Sequence, residues 1–540
     1  MHPAIAIGCE SCHSSRHNME TFKFETGKTP KGLAATEPDL CYKCHSESTY
    51  SRKVQHIPLA SGCTSCHDPH SADAPKLLKN SGQPDVCFQC HDKKNFQGAS
   101  VHQALEMGCT TCHNPHSNEK RKLLVSAVPE LCYGCHANFP GPKLHKPVER
   151  GMCLACHNPH ASARKKLLAF KYPDLCYTCH QNQSVKPVVH KPVRDGDCTV
   201  CHNPHLNERQ AQLNTPPPEL CFQCHDRKLV SGNFVHGPVA AGGCMLCHSP
   251  HQSEQKGLLS SSVGDICFQC HPDKQEEIRN AKHVHKPVAD RCSNCHSPHA
   301  AEFQYNLIAE PGRDLCEKCH PDKMAQIEKA AVKHGALNGE KKCLACHLPH
   351  VSEFPKQLAD QPMNLCLNCH DKTMGEGAGK LANMKAKIMN SANLHGPIKQ
   401  GDCSACHDPH GSDNFRMLVK YYPNVFYAEY GTKNYSLCFN CHENTLVERP
   451  QTGTLTGFRN GKQNMHYLHV HKTTKGRTCK ACHDMHGSNN PKHIRYSVPF
   501  GTSGWELPIS YTKTATGGGC TSGCHQDFKY DREKPVRNRK

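Results

Sequence analysis

Every cysteine in this chain belongs to a close pair that ends in histidine, and that regularity governs what the chain can fold into. There are 40 cysteines and 44 histidines among 540 residues. Nineteen pairs have the spacing C-x-x-C-H. In the first half these are Cys9 and Cys12 with His13, Cys41 and Cys44 with His45, Cys63 and Cys66 with His67, Cys87 and Cys90 with His91, Cys109 and Cys112 with His113, Cys132 and Cys135 with His136, Cys153 and Cys156 with His157, Cys176 and Cys179 with His180, Cys198 and Cys201 with His202, and Cys221 and Cys224 with His225. They continue as Cys244 and Cys247 with His248, Cys267 and Cys270 with His271, Cys292 and Cys295 with His296, Cys316 and Cys319 with His320, Cys343 and Cys346 with His347, Cys366 and Cys369 with His370, Cys403 and Cys406 with His407, Cys438 and Cys441 with His442, and Cys479 and Cys482 with His483. The last pair, Cys520 and Cys524 before His525, has one residue more, C-x-x-x-C-H, and no cysteine is left over.

Disulfides, zinc and haem all use cysteine in quantity, and spacing separates them. Zinc does not need a histidine immediately after every second cysteine. Two thiols two residues apart add to the two vinyl groups of one haem, and the next residue, histidine, reaches the iron as its first axial ligand. Twenty such pairs without an orphan point to about twenty covalently bound haem c groups.

The remaining histidines extend the reading. Twenty of them recur at fixed places as candidate second ligands: His2, His17, His56, His70, His102, His116, His145, His160, His190, His205, His236, His251, His285, His299, His334, His350, His395, His410, His471 and His486. Methionine, with 13 irregularly placed copies, is a weak competitor. Bis-histidine ligation is the expectation. His283, His493 and two of the cluster His466, His469 and His471 are expected to hydrogen-bond propionates instead.

These sites recur in pairs. The stretch HKPVERGMCLACHNPHASARKKLLAFKYPDLCYTCH from His145 shows the pattern: an upstream histidine, a first motif, a further histidine three residues on, a double leucine, then a second motif. First motifs have small or polar fillers, whereas second motifs often carry an aromatic, as in CYKCH at Cys41. The reading is ten two-haem repeats, at 1–52, 53–98, 99–140, 141–184, 185–230, 231–278, 279–327, 328–374, 375–448 and 449–528, with a basic tail at 529–540 expected to be solvated and flexible. The first and last repeats fit with more strain: His17 falls four residues past His13, and HDMH replaces the usual proline at His486.

With 36% hydrophobic residues and about 27 residues per haem, no conventional core can form around each site. The expected fold is mostly irregular with short α-helices and little β: an elongated haem-templated array, unfolded without haem, with small strand-containing insertions near the C-terminus. Short helical turns are expected across each motif. Longer helices are expected at Pro272–Lys282, Pro321–Lys333 and Lys380–Ser391, the first two opening with Pro-Asp, and strands at Met417–Tyr435 and Ile494–Thr516. The leucine pairs Leu77–Leu78, Leu123–Leu124, Leu167–Leu168 and Leu258–Leu259 should pack on porphyrin faces. The proline of N-P-H should fix the turn that aims its histidine.

A histidine three residues after the proximal one lies on the same side of the haem as its neighbour. It must reach a different haem, and it is assigned to the second haem of its own repeat, or of an adjacent repeat. The upstream histidine is assigned to the first haem of its own repeat.

The formal charge of +17 does not call for nucleic acid. Each ferric bis-histidine haem brings about −1 and each ferrous one about −2, so the basic residues read as counterions for propionates. No stretch approaches the roughly 18 apolar residues of a membrane span. The chain opens MHPAIAIGCESCH. Because haem of this kind is attached outside the cytoplasm, the expectation is an exported protein in trimmed form, in the periplasm, outer membrane or extracellular space.

The pattern H-x-P-V…C-x-x-C-H-N-P-H…L-C-x-x-C-H resembles the doubled C-x-x-C-H multihaem cytochromes over nearly the whole chain. That family includes periplasmic penta- and decahaem carriers, cytochromes threaded through outer-membrane porins, and extracellular cytochrome filaments. The resemblance implies bis-histidine haems in a near-contact chain, alternating between stacked and T-shaped neighbours, at low reduction potentials. Long-range electron transfer rather than enzyme catalysis is the functional expectation. Partners would be redox proteins, with an outer-membrane porin or identical subunits of a filament as hosts, and metal oxides or other cells as terminal acceptors. A multihaem reductase would need an open axial position, whose usual sign, C-x-x-C-K, is absent. A reservoir role follows from any chain so rich in haem.

Overall fold

The computed structural model describes residues 1–14, 32–141, 143–375, 380–501 and 505–538. The candidate ligand His17 lies outside the described residues. The described chain forms two compact units, residues 1–226 with 242–261, and residues 227–241 with 262–540.

The repeat begins with proline and ends with cysteine turns. In the repeat at 145–180, His145 is extended and caps the short helix Lys146–Glu149, whose proline at the first turn is preset for helical φ. A 3₁₀ turn follows over Cys153–Ala155, and the His157 amide donates to the Cys153 carbonyl at 3.0 Å. The chain then loops back. Asn158 donates to the Leu167 carbonyl, Ala169 to the Cys156 carbonyl, and Ser162 Oγ to the Leu168 carbonyl. The loop closes through Lys166 and Leu167, both left-handed at φ 59° and 55°. One more turn, Asp174–Tyr177, delivers the second motif. No element exceeds a few residues, so backbone groups are satisfied locally, turn by turn.

Antiparallel ribbons of two residues per strand tie consecutive repeats together. Each joins the segment before an upstream histidine to the segment after the N-P-H histidine of the following repeat. In the first unit Val54–Gln55 pairs with Ser117–Asn118, Ser100–Val101 with Ala161–Ser162, and Val188–Val189 with Gln252–Ser253. In the second unit Phe234–Val235 pairs with Ala300–Ala301, His283–Val284 with Val351–Ser352, Val332–Lys333 with Gly411–Ser412, and Asn393–Leu394 with Gly487–Ser488. Each of these segments is too short to show strand periodicity in the sequence.

The second unit also carries the longer elements. Helices α1 (Pro272–Asn280), α2 (Pro321–Lys329) and α3 (Met384–Met389) stand where three helices are expected, but each is shorter. The last two residues of the second expected span belong to a ribbon strand instead, and a ribbon strand begins directly after the first. Helix α4 (Met465–Val470) carries His466 and His469. A four-stranded antiparallel sheet follows, in the order β1 (Ser497–Pro499), β2 (Glu506–Lys513), β3 (Gly517–Ser522) and β4 (His525–Asp531). The strands expected in Ile494–Thr516 are therefore present. Those expected in Met417–Tyr435 are not: that segment is irregular and ends in a 3₁₀ turn at Thr432–Tyr435. Its tyrosines are used for packing, with Tyr422 and Tyr435 buried against Val447 and Val470. The expected solvated tail also needs correction. Lys529–Asp531 lies in β4, and Asn460 Nδ2 donates to the Val536 carbonyl at 2.8 Å.

Apolar cores are small. A second cluster holds Val498, Leu507 and Ile509 beneath Cys520 and Cys524. Among the described residues no helix is long and apolar enough to cross a membrane.

Candidate haem-iron centres

The cysteine motif makes one tight turn wherever it has the C-x-x-C-H spacing. The histidine amide donates to the first cysteine's carbonyl, at 2.9 Å for His13 and His45 and 3.1 Å for His67. The longer motif departs from this: Cys520 lies in β3, and His525 opens β4 after a register shift between Cys520 and Ser522.

Each described motif histidine with a recorded imidazole opposite it meets that ring at 5.9–6.4 Å between centroids. Within one repeat, the upstream ring faces the second motif. These pairs are His2 with His45, His56 with His91, His102 with His136, His145 with His180 and His190 with His225 in the first unit. In the second unit they are His236 with His271, His285 with His320, His334 with His370 and His395 with His442. Between repeats, the N-P-H ring faces the first motif of the preceding repeat. These pairs are His70 with His13, His116 with His67, His160 with His113, His205 with His157 and His251 with His202, then His350 with His296, His410 with His347 and His486 with His407. An iron with an imidazole nitrogen about 2.0 Å away on either side sets the ring centres roughly 6 Å apart. The residues present fit a bis-histidine iron.

This arrangement reverses part of the sequence reading. The upstream histidine does not face the first motif of its repeat but the second. The N-P-H histidine does reach another site, and in each of the eight pairs named above it is the first motif of the repeat before its own. The ribbons are the physical reason. The His56 amide donates to the His116 carbonyl at 2.8 Å, and the His145 amide to the His205 carbonyl at 3.0 Å, so each N-P-H segment is strapped onto the repeat it serves. The His236 amide holds the His299 carbonyl in the same way at 2.9 Å.

The last repeat brings a second correction. His471, expected as a distal ligand, is covered by Tyr430 and Tyr467 at 4.3 and 4.6 Å between rings. His466 faces His483 in its place, at 6.4 Å. Helix α4 thus supplies the facing ring from within the same repeat. His493 stands edge-on to His395 at 5.8 Å, with Nδ1 3.2 Å from the Asn393 carbonyl.

Backbone carbonyls fix the ring orientations. Upstream rings donate Nδ1–H to the proline carbonyl of the next repeat's N-P-H: His56 to Pro115, His102 to Pro159, His145 to Pro204, His190 to Pro250, His236 to Pro298 and His285 to Pro349, at 2.8–3.0 Å. First-motif rings donate Nδ1–H to a residue nine positions on: His67 to Lys76, His113 to Lys122, His157 to Lys166, His202 to Ala211, His248 to Gly257, His296 to Tyr305, His347 to Lys356, His407 to Arg416 and His483 to Lys492. Every one of these nine acceptors has φ between 53° and 67°, and only Gly257 escapes the steric cost of that region. The bond at Nδ1 sets the tautomer and leaves Nε2 as the metal-binding nitrogen. Sequence reasoning placed the leucine pairs on porphyrin faces. It missed that the first leucine is itself left-handed and shares the turn that aims the histidine.

Thiols of consecutive motifs lie beside one another. Burial pushes the Cys41 thiol up to about 12, helped by its hydrogen-bonded neighbour Cys63, and the same holds for Cys176 beside Cys198. Cys87 is pushed up to about 11 by burial and Cys109. In the second unit Cys316 is hydrogen-bonded to Cys343, Cys366 to Cys403 and Cys438 to Cys479. Within a repeat the contact passes to the second cysteines: burial and then the charge of Cys90 raise Cys66, and burial and then Cys369 raise Cys346.

The doubled CXXCH motif matches this chain nine times, at residues 2–49, 56–96, 102–141, 145–185, 190–229, 236–276, 285–325, 334–375 and 395–446, more than half of its length. The chain is also 36% identical over 107 residues to the multiheme cytochrome MtrA of Shewanella baltica, a stretch covering 19% of this chain and 25% of that relative. Paired motifs, facing imidazoles and adjoining thiols thus agree with the comparisons: the chain belongs to the doubled CXXCH-motif multihaem cytochromes, which bind c-type haems covalently and transfer electrons through them.

Proposed function

We propose that this cytochrome conducts electrons over long distances through about twenty bis-histidine haems, outside the cytoplasm, as part of electron transfer across or beyond an outer membrane. The observation that carries this reading is the facing imidazole pair, repeated along both compact units. When bound, each haem supplies a one-electron ferric/ferrous couple. The protein's own residues do the rest. The facing imidazoles would hold each iron from both sides and leave no coordination site for a substrate. Carbonyls at Nδ1 hold the rings in place through a change of iron charge. Adjoining thiols place the attachment edges of consecutive haems next to each other, which favours transfer between neighbours.

The natural partners are redox proteins, with an outer-membrane porin or identical subunits as hosts and metal oxides or other cells as terminal acceptors. Electron microscopy of native material distinguishes porin complex, filament and monomer. Mass and pyridine haemochrome analysis is expected to give a haem count near twenty, and electron paramagnetic resonance of the oxidised protein to show low-spin ferric haem. A count near ten, or substantial high-spin haem, would overturn the reading.

A further inference from the structure

We propose that α4 serves two irons, with His466 completing the centre at His483 and His469 completing the centre at His525. The proposal rests on the bis-histidine reading above and extends it to the region beyond residue 446, which the doubled motif does not match.

In the pairs from His13 to His407 the first-motif histidine faces a ring from the following repeat. His483 instead faces His466, from within its own repeat, at 6.4 Å. The second motif still needs the equivalent of an upstream histidine. On a helix, residues three apart point to the same side, which puts His469 beside His466. The two motifs are neighbours as well: Ile494, bridged to His483, packs on the same apolar cluster as Cys520 and Cys524. One short helix therefore presents two imidazoles to two adjoining centres.

His469 has the features of the other axial histidines. Its Nδ1–H donates to the Met465 carbonyl at 2.7 Å, leaving Nε2 as the metal-binding nitrogen. His471 lacks this preparation, since its Nδ1 is buried without a recorded partner and both flanking rings are tyrosines.

The strand carrying His525 is fastened to the segment that leads into α4. Gly461 donates to the Asp531 carbonyl at 2.8 Å, Arg459 Nη1 to the Arg532 carbonyl at 3.0 Å, and the Asp531 amide to Asn460 Oδ1 at 3.2 Å. Phe458 bridges the two, edge-on to Tyr530 at 4.9 Å and lying along His469 at 5.8 Å. The extra residue of Cys520–Cys524 suits this setting. The motif spans a strand, a bulge and a strand start rather than a 3₁₀ turn.

The test uses the full-length holoprotein. Reduced wild-type protein is expected to bind no carbon monoxide. His469→Ala should keep its haem count by mass, gain one high-spin ferric haem, and bind one equivalent of carbon monoxide after reduction. Added imidazole should return that haem to low spin. His469→Met should stay low-spin but with an altered near-infrared charge-transfer band, and His471→Ala should leave every signal unchanged. If His469→Ala remains wholly low-spin, or if wild-type protein already binds one equivalent and the substitution adds none, the assignment is overturned. Failure of the underlying bis-histidine reading looks different: many high-spin haems in the wild-type protein, or a count far below twenty.

Discussion

At the scale of single residues, the main result is that eight first-motif rings, from His13 to His407, face an imidazole from the next repeat. His116 lies 49 positions beyond His67 in the chain, yet their rings are 6.0 Å apart. His116→Ala is therefore expected to produce one high-spin haem at His67, not at its sequence neighbour His113. Replacing Cys63 and Cys66 as well, which deletes the His67 haem, should abolish that signal. Replacing Cys109 and Cys112 should leave it. The motif itself was legible in the sequence because the chemistry of attachment demands its spacing. The choice of partner was not, because it depends on hydrogen bonds between segments some sixty residues apart, such as His56 Nδ1–H to Pro115. The left-handed acceptors were equally hidden, since Lys76, Lys122 and Lys166 are ordinary residues in an unusual conformation. A left-handed non-glycine residue costs about 1–2 kcal/mol. Lys166→Ile should thus destabilise the holoprotein by at least about 1 kcal/mol, while Lys166→Gly should be neutral or mildly stabilising. Guanidinium unfolding followed by the Soret band measures both, and equal effects would contradict the strained-turn account.

The ribbons are the decisive elements, although each strand has only two residues. They succeed because the segments they join must also present a histidine, so packing and ligation reinforce one register. Close approach is visible at Gly98, where a Cβ would lie 2.5 Å from the Ser162 carbonyl oxygen, and at Gly232, where it would lie 2.8 Å from that of Ala301. Both neighbours are backbone and cannot swing aside. Gly98→Ala should cost about 1–3 kcal/mol, the usual range for overpacking, and should raise amide exchange at Ser100 and Val101. Gly237→Ala is the control, since nothing lies within 4 Å of its would-be Cβ. Similar exchange in both variants would mean that the ribbon does not hold the repeats. The first two longer helices were legible from their Pro-Asp starts, but their ends were not. Sequence periodicity does not reveal where a helix gives way to a strand whose partner lies in another repeat.

At the scale of the whole polypeptide, the question is what holds so little core together. The chain's buried apolar side chains are few and scattered outside the Tyr422 and Val498 clusters. At about 25 cal/mol per Å², such clusters offset only a small part of the roughly 1–2 kcal/mol per residue that ordering a backbone costs. Ribbons of two residues add hydrogen bonds worth about 1 kcal/mol each, which does not change that balance. Stability must come from groups that bind the folded chain and not the unfolded one. Polypeptide made without haem attachment is accordingly expected to give the circular dichroism of an unfolded chain and rapid, unselective proteolysis. The C-terminal sheet, with its own apolar cluster and eight-residue β2, is the part most able to persist. Protease-resistant fragments from the repeats at 53–98 or 99–140 in haem-free material would show that the polypeptide folds them unaided. A single resistant fragment confined to the sheet would instead fit a molecule whose repeats take their order from haem.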